Sequence, residues 1–342
     1  MTTRVADDRT LLSGVDAVLA DLDGVVYRGR LAIDYAVDSL NRASSSVRVG
    51  YITNNASRTA DTVAAQLSGY GLDVRAEDVV TSPQAALRLL VDAVPAGSTV
   101  LVVGGEGLTS VVEEAGFVVT RSAEDSPAAV IQGFSPEVGW AQLAEASYAL
   151  HTGIPWIATN TDWTIPQERG IAPGNGTLVS AVHSAVGRLP EVAGKPETPI
   201  FTAALERFGA ENALFIGDRL DTDIVGANRA GLRSALVLTG IDGAKQVIAA
   251  DAKSRPDFIL GDLRELHEPY PSVEEHDEED IHVVTVRDSS VAVRGTVVRV
   301  VQAGSDPVDL LRAGAAAVWG TGRAVYGLDI DPVLHGDDGG GV

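Results

Sequence analysis

Apolar positions in the first 270 residues cluster in short runs: 15–20, 47–52, 99–103, 128–131, 155–158, 213–216, 234–238 and 257–260. Between them lie longer stretches with helical spacing, the clearest at 33–44 and 59–69. Short buried-type runs that alternate with helices, with Gly at the turns, predict an α/β fold built on parallel sheets covered on both faces. The segment 83–190 carries strands and helices of its own. It therefore reads as a domain inserted between two parts of a core, 1–82 and 191–270. From Pro269 the pattern changes. The acidic run Glu274-Glu275-His276-Asp277-Glu278-Glu279-Asp280 predicts a solvated linker over 271–281. Residues 282–342 then alternate like a hairpin, give a helix over 306–320 and a further strand near 323–330, and make a small α+β appendix. The closing Gly336-Asp-Asp-Gly-Gly-Gly-Val342 is expected to fray.

Composition narrows the function. The chain has 342 residues and a formal charge of −21, from 47 acids against 26 bases. Such a surface repels phosphate backbones and anionic membranes, so neither nucleic acid nor membrane is an expected partner. It would also repel a small anionic substrate unless a bound cation and local donors reversed the field. With no cysteine, thiol nucleophiles and zinc–thiolate sites are excluded. The first dozen residues lack the apolar core of a signal peptide, and no run is long enough to span a bilayer, so a cytoplasmic protein is expected.

Four polar blocks follow predicted strands. Asp21-Leu22-Asp23-Gly24 places two carboxylates one residue apart at a strand's carboxyl end, where open α/β sheets bind ligands. This suits phosphoryl transfer, one acid attacking phosphorus while the other handles the leaving-group proton and helps hold a metal. Asp-rich turns are common, however, and the block gains weight from its company. Thr53-Asn54-Asn55-Ala56-Ser57-Arg58 offers a hydroxyl, amides and backbone N–H groups for an anion at the start of a helix, though the same residues also serve as plain caps. Gly194-Lys195-Pro196-Glu197 holds a lysine between Gly and Pro, where its ammonium can neutralise both a nucleophilic carboxylate and a phosphate oxygen, though a surface turn would carry the same residues. Gly217-Asp218-Arg219-Leu220-Asp221-Thr222-Asp223 offers carboxylates of the hard kind that Mg²⁺ takes. A parallel sheet would line up all four along one edge.

With these blocks the chain resembles the haloacid dehalogenase (HAD) superfamily phosphatases. It is most similar to their class IIA group, which includes NagD and the p-nitrophenylphosphatases, phosphoglycolate and pyridoxal-phosphate phosphatases. Gly104–Leu108 (GGEGL), 158–162 (ATNTD) and 173–182 (PGNGTLVSAV) add to the likeness, which runs from about Leu12 to Leu266. The resemblance implies a Rossmann-like HAD core with an inserted C2-type α/β cap. It implies Asp21 as the nucleophile that becomes an aspartyl-phosphate, Asp23 as general acid and then base, and Lys195 as the cation bracing Asp21 and the phosphate. Thr53 and Asn54, with Asn55 and Gly24, would hold phosphate oxygens. Mg²⁺ would sit on Asp21, Asp218 and the Asp23 carbonyl, with Asp223 behind them.

The cap would act as a lid, which favours a small phosphorylated metabolite. The resemblance also implies a homodimer joined through the cap. In the cap loop 160–177, Asp162 or Arg169 would read the substrate's polar end. That loop has no aromatic cluster, only Trp163, which favours glycerol 3-phosphate or phosphoglycolate over pyridoxal 5′-phosphate or a nucleoside monophosphate. A dehalogenase would not need Asp23 or the Asp218 site. A phosphomutase would keep the same residues, and a non-catalytic phosphometabolite sensor is the alternative of another kind. The turn Gly104-Gly105-Glu106-Gly107 suggests a dinucleotide site but has Ser110 where the third glycine belongs. The appendix departs from the family pattern, and oligomer contact or support of the fold is its expected role.

Overall fold

The computed structural model describes residues 9–167 and 169–336. All but the first residue of the expected frayed end lies outside the described residues. By packing, the chain divides into two compact units, Met1–Val49 with Glu211–Val342, and Gly50–Ala210.

In the first unit four parallel strands lie side by side in the order Phe258–Leu260, Arg233–Val237, Ala213–Gly217, Ala17–Ala20. The two that matter most, Ala17–Ala20 and Ala213–Gly217, are buried at every position. That is why they read as continuous apolar runs rather than as alternation. Asp16, just before the first strand, accepts hydrogen bonds from the backbone N–H groups of Glu211 (2.8 Å) and Asn212 (3.0 Å) and so ties the two strand entrances together. These bonds, that from Glu211 foremost, hold its carboxyl below the ordinary range.

The appendix belongs to this same unit. Its five strands are ordered Val273–Glu278, Ile281–Val286, Ser289–Arg294, Val297–Gln302, Asp329–Ile330, antiparallel except for the last pair. The helix Pro307–Gly320 starts with Asp306 accepting from the N–H of Val308 and with Pro307 in its first turn. Val284, Val291 and Val298 of the sheet form one hydrophobic cluster with Leu310, Ala313 and Ala317 of the helix. Leu220, Leu236, Val247 and Ile259 of the core belong to it as well.

Arg312 rivets this junction. It is buried, and its guanidinium donates to the carbonyl of Ile259, to Glu265 and to Asp309, and lies over the Tyr270 ring. Asp309, also buried, takes a second ion pair from Arg287.

Two expectations fail in the appendix. The predicted linker 271–281 contains the strand Val273–Glu278, paired residue by residue with Ile281–Val286. All six of its side chains are exposed, so neither face carries the apolar alternation that marks a half-buried strand. Its charges instead suit an edge that must not recruit further strands. The predicted strand near 323–330 is a 3₁₀ turn at Val325–Gly327 followed by two strand residues, Asp329–Ile330.

The second unit contains a five-stranded parallel sheet in the order Glu191–Val192, Trp156–Ala158, Ala129–Gln132, Thr99–Val103, Val118–Thr120. A two-stranded hairpin, Thr164–Gln167 with Gly170–Pro173, stands beside it in the chain. The end of the strand Arg48–Thr53, paired with Val79–Thr81, and the helices Ser82–Ala93 and Pro199–Phe208 pack in the same unit. Arg207 donates to the carbonyl of Val79 (2.8 Å) and to Gln84 (3.2 Å). Gly50 lies so close to Phe208 that a Cβ would overlap the ring. These ties place the unit boundaries at 49/50 and 210/211, outside the expected cap limits of 83 and 190. Among the described residues, no helix is long and apolar enough to cross a membrane.

Replacing Arg312 with Ala is expected to destabilise the protein by about 3–5 kcal/mol, because Asp309 and Glu265 lose their buried cation. Replacing exposed Arg294, paired with Asp280, should cost far less, because solvent screens an exposed ion pair. Urea unfolding compares the two. Asp16→Asn should lower stability near neutral pH, and the deficit should fade as pH drops through the depressed carboxyl pKa, where wild-type Asp16 itself becomes protonated. Melting curves against pH measure it.

Candidate active site

Within the first unit, three strand ends converge. The Ala17–Ala20 strand delivers Asp21, 8% exposed, whose N–H donates to the carbonyl of Ile216 at 2.8 Å. The chain then turns sharply. The N–H groups of Val26 (2.9 Å) and Tyr27 (3.1 Å) donate to the carbonyl of Leu22, and that of Gly24 donates to Tyr27 (2.8 Å). Leu22 is buried, Asp23 is exposed, and the Tyr27 hydroxyl approaches the Asp23 carboxylate at 3.5 Å. Gly24 has φ +80°, and a Cβ there would overlap the carboxylate of Asp218.

The Ala213–Gly217 strand delivers Asp218, and the turn after it folds around Asp223. Both acids are buried. One oxygen of Asp223 accepts the backbone N–H groups of Asp218 and Arg219, each at 3.1 Å. Gly217 leaves the space that the Asp223 side chain fills.

The third strand, Arg233–Val237, leads into Thr239-Gly240-Ile241-Asp242, a turn that the sequence reading passed over. Thr239 donates from its hydroxyl to the carbonyl of Gly24 (2.7 Å), and Ile241 donates from its N–H to the Asp218 carboxylate (2.8 Å). Asp242 accepts from the N–H of Leu220 at 2.6 Å. Burial raises the Asp242 carboxyl pKa. A Cβ on Gly240 would overlap Asp218. The signal was there to read, because this turn also follows a parallel strand, and at such strand ends ligands bind.

The outcome is a cluster in which Asp21, Asp218 and Asp223 each bring a carboxylate oxygen within 4.8 Å of the others. Carboxylates this close, mostly out of water, repel one another. A divalent cation resolves the conflict, and an all-oxygen donor set suits a hard ion such as Mg²⁺ or Ca²⁺. The residues therefore fit a metal. The Asp23 carboxylate is not part of this cluster among the described residues, whereas the Asp223 carboxylate, expected behind the ligands, is.

Within the second unit, Thr53 ends its strand buried, with its hydroxyl oxygen accepting from the N–H of Asn55 at 3.1 Å. Asn55 folds back on Ser57, accepting from its N–H (2.9 Å) and hydroxyl (2.7 Å). The following helix begins only at Ala60, capped by Thr59, so this block is a polar turn rather than a helix start. Asn54 binds the backbone of Lys195 and the carboxylate of Asp162 through its side chain. Lys195 is 4% exposed. Asp162 lies just before the hairpin strand Thr164–Gln167, with its own N–H donating to Asn160 (3.2 Å). Arg169 is exposed in the turn between the two hairpin strands.

A Rossmann-like unit that gathers three carboxylates at adjacent strand ends defines an α/β enzyme with carboxylate and metal chemistry. The sequence narrows the class. Residues 18–118 match the family described as haloacid dehalogenase-like hydrolase, and residues 192–266 match one described as HAD-hydrolase-like. The chain belongs to the haloacid dehalogenase-like hydrolases. It is 43% identical over 312 residues to a D-glycerol 3-phosphate phosphatase of Mycobacterium tuberculosis, covering 89% of this chain and 86% of the relative. It is 34% identical over 254 residues to an acid sugar phosphatase of Staphylococcus aureus, covering 73% of this chain and 95% of that one. Among solved structures, it superposes with a TM-score of 0.83 and 41% identity on a glycerol phosphate phosphatase from Mycobacterium tuberculosis in complex with magnesium. That match covers 95% of both chains.

Gly240→Ala should push Asp218 out of the cluster and weaken divalent-cation binding by about 10-fold or more. Titration calorimetry with Mg²⁺ on a folded variant measures this, and Gly243→Ala, whose Cβ would meet its nearest atom at 3.9 Å, is the control.

Proposed function

We propose that this chain is a Mg²⁺-dependent phosphomonoesterase that hydrolyses glycerol 3-phosphate or a similar small polyol phosphate through an aspartyl-phosphate on Asp21. The observation that carries this reading is the convergence of Asp21, Asp218 and Asp223 at strand ends. The relatives named as glycerol 3-phosphate and acid sugar phosphatases support it. They favour a polyol or sugar leaving group over phosphoglycolate, pyridoxal phosphate or a nucleotide.

In the first step an Asp21 carboxylate oxygen attacks phosphorus. The bond from phosphorus to the glycerol oxygen breaks, and protonated Asp23 gives its proton to the departing alkoxide. In the second step Asp23, now a carboxylate, takes a proton from water as that water attacks phosphorus. Inorganic phosphate leaves and Asp21 is regenerated. The Asp23 side chain is exposed, open both to a leaving group and to water, as a group that serves both steps must be. Lys195, the Thr53 hydroxyl and the Asn55 amide would neutralise and orient the phosphate oxygens. Asp21 and Asp218, with the Asp23 carbonyl, would hold Mg²⁺, and Asp223 would orient Asp218 and its turn. Bound Mg²⁺ supplies positive charge to a phosphate that the acidic protein otherwise repels. We extend the reading to a cytoplasmic homodimer that binds no nucleic acid.

Phosphate release from a panel of phosphate esters, with Mg²⁺ or with EDTA, tests this. Release should require Mg²⁺, be fastest with glycerol 3-phosphate, and fall by about 10⁴-fold or more in Asp21→Asn. A folded wild type that hydrolyses none of the esters would overturn the reading.

A further inference from the structure

The Asn54 side chain is committed in every direction. Its Oδ1 accepts the N–H of Lys195 at 2.8 Å. Its Nδ2 donates to the carbonyl of Lys195 at 3.0 Å and to both oxygens of Asp162, at 3.1 and 3.3 Å. A primary amide has two protons. One is spent on the Lys195 carbonyl and the other is shared by the Asp162 carboxylate, so a phosphate oxygen would find no proton on this side chain. The opposite amide orientation would set N–H against N–H at Lys195 and oxygen against oxygen at Asp162, so the partners themselves fix the assignment.

Asn54 therefore pairs with both backbone groups of Lys195, as a neighbouring strand would. The approach is close. A Cβ on Gly194 would lie 2.6 Å from Asn54 Oδ1 and 2.5 Å from the carbonyl of Thr159, which explains glycine before the lysine. Asn54 is in turn anchored through its own carbonyl, which accepts the Ser82 hydroxyl (2.7 Å) and the Asn160 amide (2.8 Å). Asn175 holds the Asn160 carbonyl at 2.7 Å. Three chain segments, at 53–55, 159–162 and 194–195, are thus cross-linked where the lysine leaves the backbone.

We propose that Asn54 and Asp162 are positioning residues for Lys195, rather than a phosphate ligand and a reader of the leaving group. Asp162 orients the Asn54 amide, and Asn54 fixes the backbone from which the long, flexible lysine side chain reaches its target. This rests on the phosphatase reading for its consequence in catalysis, but not for the pinning itself.

Two measurements test it. In metal-free, substrate-free protein, hydrogen exchange should show faster exchange of the 193–198 segment in Asn54→Ala, by about 10-fold or more, while the cap sheet stays protected. Unchanged exchange there overturns the proposal whatever the activity does.

Kinetics with glycerol 3-phosphate and p-nitrophenyl phosphate form the second test. Asn54→Ala should lower kcat/KM by about 100-fold, with the loss divided between kcat and KM as it is in Lys195→Ala. The double variant Asn54→Ala/Lys195→Ala should be no slower than Lys195→Ala alone, because the two act as one unit. Asp162→Ala should impair both substrates equally, and Asp162→Asn, which keeps an acceptor for Asn54, should restore most of the loss. Multiplicative losses in the double variant, a division between kcat and KM unlike that of Lys195→Ala, or an Asp162→Ala defect confined to glycerol 3-phosphate would each overturn it. A folded wild type inert toward both esters would sink the phosphatase reading alone, and exchange would then decide the pinning.

Discussion

Like charges held together against their repulsion organise the first unit. Three carboxylates lie with oxygens within 4.8 Å of one another, and at an effective dielectric of about 20 each such pair repels by roughly 3 kcal/mol or more. The surrounding chain is shaped to tolerate this. Backbone N–H groups of residues 218, 219 and 241 point at the acids, and glycines at 24, 217 and 240 stand where a Cβ would overlap them. A cation bound among them would offset that repulsion, which would link metal binding to local stability.

The second unit solves a different problem, how to aim a flexible cation. A lysine stem has many rotamers, and the economical place to restrict it is at its root. The polar network around Asn54 does this with uncharged amides and a single carboxylate. Segments 53–55, 159–162 and 194–195 are joined there, at the root of the lysine side chain.

The strand positions were legible because buried parallel strands write continuous apolar runs. Thr99–Val103 falls where predicted, and the others shift by a residue or two. Asp21 and Asp218 were legible as acids at strand ends. Asn54 was legible as a polar residue of the turn after a strand, but its residue type suits an anion turn as well as a backbone clamp, and the sequence does not show its partners. The turn 239–242 was missed because what it gives to Asp218 is a backbone N–H and the absence of a side chain at Gly240, which leave little trace in composition. Val273–Glu278 was misread because a fully exposed edge strand shows no periodicity at all.

The buried guanidinium at Arg312 has a consequence for how the chain can be divided. The region matched by the family ends at residue 266, which suggests a natural place to cut. Yet Leu236, Val247 and Ile259 share their hydrophobic cluster with residues beyond 280, and the carbonyl of Ile259 and the carboxylate of Glu265 depend on a cation from the far side. Trimming to the shared family core would leave an apolar scar and an orphaned acid on the catalytic unit. The appendix is therefore a wall of the enzyme rather than a passenger.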